Sequence, residues 1–417
     1  MIRRIATMAM LVVSVASCAW PMSGQSPDRR NWNGTDHTFT PSSLTRLREG
    51  WHVPIVAGTE VVGDRDRVFT RSQGALKALD PTTGNELWTA GAPGTSVPGL
   101  IGDGVVVGID GPRCALQRLA AASGASQVTA TVGYAYGNNA TTRSCVMGPS
   151  VLTESGRVAV SSSSTATFAV PGCGGTSNNQ LWGAASTVTV LDATLRPIWT
   201  ATDATIGCGT PPDQSPIALF GEVTRTDAHY VVPKGNELIA YPLTCTDPCA
   251  ASWRATFSSR VTHAAGLPGG RVAVAPEQSR VSVLADTTGD LLWTLETNAP
   301  FGFAATDTTI FVLSLELNAY PVNGCGAATC NPAWTAPLGG RIAFYEPVVA
   351  GDVLIAPAWE RPGLFFDARG CGAATCTNLP GAAPGFGVIS GAVSVVNGRI
   401  YAAGDTTFLT TSEIAPT

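Results

Sequence analysis

The chain has 417 residues, of which only 13% are charged, and its formal net charge is −5. So sparse and slightly negative a charge supplies neither the basic surface that nucleic acid demands nor an electrostatic grip on anionic lipid.

The N-terminus sets the compartment. Met1-Ile2-Arg3-Arg4 gives a short positive region, and Ile5 to Val15 an apolar run. That run is shorter than the roughly 20 residues of a membrane span and suits a secretory signal. Arg3-Arg4 stands without a wider twin-arginine motif. Val15-Ala16-Ser17-Cys18 resembles the bacterial lipobox, where cleavage precedes the cysteine and acylation follows. The expectation is a signal peptide over 1–17, a lipidated N-terminus and tether over 18–42, and a folded domain over 43–417. The alternative is an ordinary signal peptide with Cys18 incidental. Export implies an oxidising compartment. Of eleven cysteines, setting Cys18 aside leaves an even number, as a disulfide framework requires.

Beyond the tether, a unit recurs. Arg67-Val-Phe-Thr-Arg-Ser-Gln-Gly-Ala-Leu-Lys-Ala-Leu-Asp80-Pro-Thr-Thr-Gly84-Asn-Glu-Leu-Trp88 is echoed from Arg271 to Trp293, with Asp286-Thr-Thr-Gly289 at the same turn. Each reads as strand, polar turn, alternating strand, Asp/Gly turn, and a strand carrying Trp. Weaker copies run over Ala115–Val128, Val188–Trp199, Glu237–Trp253, Glu316–Trp334 and Leu364–Leu379. Counting Trp51, the marked position falls at 51, 88, 128, 199, 253, 293, 334 and 379. The spacing of about 40 residues is that of a propeller blade, and the long interval before Trp199 holds an insertion. The fold class expected is all-β: an eight-bladed β-propeller of four-stranded antiparallel blades. Trp51 has only one strand-like piece, Gly50 to Ile55, around it. The C-terminal strands Val393–Val396, Arg399–Ala403 and Thr407–Thr411 lack a final Trp strand. The N-terminal strand should therefore close the last blade.

Ala78-Leu79-Asp80 through Leu87-Trp88 resembles the repeat of pyrroloquinoline-quinone-like (PQQ-like) propellers, a family that includes quinoprotein dehydrogenases and the outer-membrane assembly lipoprotein BamB. The lead-in Asn31-Trp32, Asp36-His37-Thr38, Leu44-Thr45, Leu47 and Trp51 resembles the N-terminal segment of such exported propellers. For the enzymes, the resemblance implies a quinone in the central funnel, held by calcium or a lanthanide with a catalytic Asp, beneath a disulfide between adjacent cysteines. This chain has no adjacent cysteine pair, and no cofactor or metal is expected. His37, His52, His229 and His263 lack zinc-ligand spacing, and no nucleophile elbow appears.

GCGAATC occurs twice, at 324–330 and 370–376. Cys325 with Cys330 and Cys371 with Cys376 fall at the turn before the marked strand, as do Cys245 with Cys249. With blade strands named A to D from axis to rim, these are C–D turns. Four thiolates from two such turns would have to converge on one ion at about 2.3 Å, and neighbouring blades hold them too far apart. No C-x-x-C supports redox exchange. Local disulfides are expected. Among the three pairings open to the others, Cys114 with Cys145 and Cys173 with Cys208 join B–C turns to D–A connections, on the face opposite the C–D staples.

The function expected is a membrane-anchored, non-catalytic binding or scaffold module for an envelope protein or wall component, as a monomer. Loops at 111–116, 137–146, 162–186 and 202–216 would form its contact face. A quinone-dependent dehydrogenase or another funnel enzyme is the alternative. Trp182 and Trp359 stand off the repeat mark and are candidate surface aromatics, for a carbohydrate ligand for instance.

Overall fold

Short alternating runs broken by Gly and Asp turns fold as hairpins, and the hairpins here gather into eight sheets in chain order. The computed structural model describes residues 22–415 apart from 23, 55–59, 73, 95, 136–139, 169–179, 210–220, 298–299, 340–344, 358–362, 380–391 and 404–407. Blade 1 comprises Val62–Gly63, Val68–Ser72, Ala75–Leu79 and Glu86–Gly91, antiparallel throughout. Blades 2 to 7 follow over 99–131, 140–209, 224–256, 261–295, 302–337 and 348–367, the last of which takes its fourth described strand from Trp32–Asn33. Blade 8 holds Val393–Val396, Arg399–Ala403 and Phe408–Ile414, and its outer strand is Leu47–Pro54, paired Arg48 to Glu413 and His52 to Thr410. The ring is closed by the strand carrying Trp51. Among the described residues no helix is long and apolar enough to cross a membrane.

The core lies between blades. Phe69, Leu76 and Ala78 of blade 1 pack against Val105, Val107 and Leu119 of blade 2, all essentially without solvent contact. At the rim each marked Trp docks on the next blade. Trp51, Trp88 and Trp253 donate their indole N–H to Pro81 O, Ala121 O and Asp286 O at 3.0, 2.9 and 2.6 Å. This contact explains the Asp-x-x-x-Gly turn. Gly84 has φ +73°, and a Cβ there would lie 2.6 Å from the Trp51 ring. Only glycine both adopts the left-handed turn and leaves room for the indole.

Disulfides join Cys114–Cys145, Cys245–Cys249, Cys325–Cys330 and Cys371–Cys376. The three short ones sit at C–D turns and do more than close a loop. Thr329–Cys330 adds to blade 5 as a parallel fifth strand, with Thr294 N–H donating to Ala328 O (2.9 Å) and Glu296 N–H to Cys330 O (2.8 Å). In the second GCGAATC, Thr335 N–H donates to Ala374 O and Cys376 N–H returns to Thr335 O. Cys249 N–H likewise reaches Thr200 O. Each stapled loop thus covers part of the open outer edge of the preceding blade.

Blade 3 departs from the simple repeat. Arg157–Phe168, Gln180–Asp192 and Pro197–Gly209 are strands of 12, 13 and 13 residues. Leu152–Glu154 pairs with the near half of the first, and Ala140–Met147 with its far half. The segments expected as loops at 137–146, 162–186 and 202–216 are instead, where described, a continuous sheet. It projects about 20 Å past the blade on the B–C side. The Ser/Thr-rich run lacks hydrophobic alternation because its hydroxyls pair across strands, as Ser162 Oγ does with Thr187 Oγ1 at 2.5 Å. Cys18, Cys173 and Trp359 lie outside the described residues, and of Cys208 only the backbone is described, near the end of Pro197–Gly209.

Candidate functional site

Residues 24–40, placed by sequence in the tether, run across the A–B face of the ring. Their carbonyls meet the inner strands of successive blades. Pro27 O, Asp28 O, Arg30 O and Asn31 O accept from Arg225, Gly266, Ala305 and Val349 N–H at 2.7, 2.8, 2.8 and 2.8 Å. Gly351 N–H reaches Asn33 O, and Gly398 N–H of blade 8 reaches Asp36 Oδ2 at 3.0 Å. Trp32–Asn33 pairs parallel with Val349–Ala350 as a short innermost strand of blade 7. A segment with no repeat of its own thereby satisfies inner-edge donors of blades 4 to 8, which burial would otherwise leave without partners. It forms a lid.

Side chains of the lid rise into the funnel. Arg29, 5% exposed, donates to Val223 O (2.7 Å), Glu222 Oε2 (3.0 Å) and Ser150 Oγ. Asn31 Nδ2 donates to Glu346 Oε2 and to Phe303 O. Gly24 N–H donates to Glu60 Oε1 at 3.2 Å. Above the lid lies a cavity of about 310 Å³, lined in part by Glu60, Glu222, His263, Tyr345 and Glu346, with Asn31 in its floor. Its lining residues just ahead of the inner strands put its mouth on the D–A side, the face from which the blade 3 sheet projects.

The three glutamates hold one repeat position. Each stands two residues before its inner strand, at Val62, Thr224 and Val348. That equivalence is readable from sequence when blades are aligned on strand A; alignment on the rim tryptophans hides it. His263 arrives through an irregularity in Val261–Leu267, where pairing shifts between Val261 and His263, a bulge that re-aims a side chain. Its Nδ1 meets Glu346 Oε1. Burial disfavours charge on both, but their mutual attraction and hydrogen bond prevail. His263 is held above its ordinary value, helped by Glu222 and Phe301 O, and Glu346 below its own, helped by Asn31 and Arg29. Both keep about a third of their side-chain surface open (29% and 32%), but to the cavity at the axis.

The described lining of the funnel does not fit the cofactor that the resemblance implies. Its glutamates are engaged by Arg29, Asn31, His263 or the Gly24 amide, and among the described residues no three His, Cys, Asp or Glu are placed to hold one metal ion. A second polar set, Thr226, His229 and Asp286, is structural. Asp286 is fully buried and receives Thr226 Oγ1 at 2.7 Å, with His229 Nδ1 at 3.0 Å. The hydroxyl bonds the carboxylate and not the imidazole, and the set is sealed between blades 4 and 5. Trp182 lies across Gly207 of the adjacent strand, where a Cβ would be 2.3 Å from its ring. It packs on its own sheet.

By sequence no family model and no curated protein matches the chain. By structure it is similar to the quinohemoprotein alcohol dehydrogenase of Comamonas testosteroni, with TM-score 0.64 at 13% identity, covering 96% of this chain and 81% of that one. BamB of Moraxella catarrhalis gives 0.55 at 15%, covering 88% and 99%. The fold is the PQQ-like, BamB-like eight-bladed propeller. A computationally designed protein, Ika8, matches at 0.59 and 12% identity over 87% of this chain and 98% of its own. A PQQ-like propeller is thus compatible with enzymes, with a BamB and with a design, and at these identities the likeness is one of fold.

Proposed function

We propose that the protein is an exported lipoprotein, acylated at Cys18, whose PQQ-like propeller is a non-catalytic binding module for an envelope protein or wall component. The observation that carries this reading is the lid: Gly24, Arg29 and Asn31 engage the three glutamates that a funnel enzyme would use. The similarity to BamB supports it, and so do disulfides, which persist in an oxidising compartment. The partner face is the D–A/B–C side, where the blade 3 sheet projects and presents Val146 and Ile206, 41% and 67% exposed. A Cys173–Cys208 bridge would brace that projection. Photo-crosslinking residues at Val146 and Ile206 should capture one envelope component in intact cells, while the same residue at Leu291 on the rim should not. Capture from the rim alone would refute the assignment of the face.

The second reading, a funnel enzyme, draws on the His263–Glu346 pair facing the cavity and on the similarity to alcohol dehydrogenases. Titration with pyrroloquinoline quinone and calcium separates the two. Saturable binding with dye-linked alcohol oxidation would replace the binding-module reading.

A further inference from the structure

The lid determines where an anchored N-terminus must leave the ring. Met22, 2% exposed, packs in the apolar cluster that contains Leu152 and Tyr230. It also lines, with Pro27, Ile101, Thr153 and Ser155, an open groove of about 670 Å³. Gly102 and Ser155 belong to the A–B turns of blades 2 and 3, so this groove opens on the A–B face. Three residues separate Cys18 from Met22, and the four steps of fully extended chain between them reach at most about 14 Å. The cavity mouth and the projecting sheet lie on the opposite face, about the length of a blade strand away.

We infer that the A–B face of blades 2 to 4 is a membrane-facing surface, held against the bilayer by the anchor. This rests on the reading of Cys18 as the acylated residue. Acyl chains on Cys18 must enter the bilayer, and so short a connection cannot pass round the ring to its other side. The groove beside Met22 opens on this face. The partner is thus a lipid surface, bound through acyl chains and not through charge: this face mixes Asp103 and Glu154 with Arg157 and Arg225, and Arg225 is paired to Glu154 at 2.6 Å. The three short disulfide loops, at C–D turns, share this face. The funnel mouth and blade 3 sheet point away from the membrane, free to meet a partner.

The test uses the full-length acylated protein in phosphatidylethanolamine–phosphatidylglycerol vesicles containing headgroup-labelled quencher lipid. A fluorophore is placed on Ser155→Cys, exposed in an A–B turn, or on Ser258→Cys, exposed in a D–A connection. Labelling is non-reducing, with the unsubstituted protein as background. The expected result is several-fold stronger quenching at 155 than at 258. Inserting about twenty Gly/Ser residues between Pro21 and Met22, with a reach of about 25 Å, should collapse that difference. Equal quenching in the protein without the insertion, or stronger quenching at 258, overturns the orientation. Mass spectrometry of the N-terminal peptide separates the two failures. An unacylated peptide refutes the lipoprotein reading and the orientation with it, whereas an acylated, vesicle-bound protein with equal quenching refutes the orientation alone.

Discussion

His263 reaches the funnel because its strand carries one irregular pairing, and what it does there is electrostatic. The native state raises its affinity for a proton, and the linkage follows from that sign. Its contribution to stability is complete below the ordinary histidine value of about 6.5 and is lost as pH rises through the raised native value. Glu346 acts at the other limb: its contribution is present above the ordinary carboxylate range and lost as pH falls through the lowered native value. Between those limits the pair is fully charged. The urea midpoint of the wild type should therefore exceed that of His263→Gln most at mildly acidic pH, and the gap should narrow toward alkaline pH. Parallel midpoint curves from pH 5 to 9 would show that the pair is not linked to folding. Arg71 behaves differently. Burial pushes its guanidinium down to about 10, still charged at neutral pH. It spends its donors on Ser96 O, Ala92 O, Gly94 O and Gly108 O, tying blade 1 to blade 2.

At the scale of elements, the duplicated GCGAATC loop is a clamp between blades. Closing the six-residue ring from Cys325 to Cys330 is worth roughly 2 kcal/mol in chain entropy, but its geometric effect falls on the neighbouring blade. In Cys325→Ser/Cys330→Ser the loop is freed, and the amides it caps, Thr294 and Glu296 of blade 5, should exchange hydrogen faster. Amides within blade 5, such as Val272 and Ala273, should keep their protection. Uniform acceleration across the blade would mean that the staple acts only on global stability. The repeat was legible because each copy carries its own punctuation: a turn that needs Gly84 or Gly289, and the Trp that docks on it. Blade 3 was not, since Ser161 to Ser164 bury hydroxyls on both faces and leave no apolar alternation to read. The lid was least legible. Its Pro, Ser and Asn residues have a tether's composition, and its contacts are scattered single bonds, from backbone and from Arg29, Asn31 and Asp36, mostly to strands far away in the chain.

For the whole molecule, closure is achieved twice. Leu47–Pro54 joins Phe408–Ile414 at the rim, and the lid crosses the axis from blade 4 to blade 8. The rim closure alone would leave amides at Arg225, Gly266, Ala305, Val349 and Gly351 without the lid carbonyls, and Glu222 without Arg29. Five backbone bonds at about 1 kcal/mol each amount to about 5 kcal/mol, comparable with the entire stability of an ordinary domain. Buried contacts of Met22 and Phe39 add to this. A chain begun at Met22 should therefore unfold cooperatively, whereas one begun at Ser43 should unfold at much lower temperature or fail to fold. Were residues 22–42 only a tether, the two would melt together. The outcome also bears on the funnel: a peptide of residues 22–42 added in trans should restore part of the lost stability, and Arg29→Ala in that peptide should weaken the rescue by removing the cation that meets Glu222.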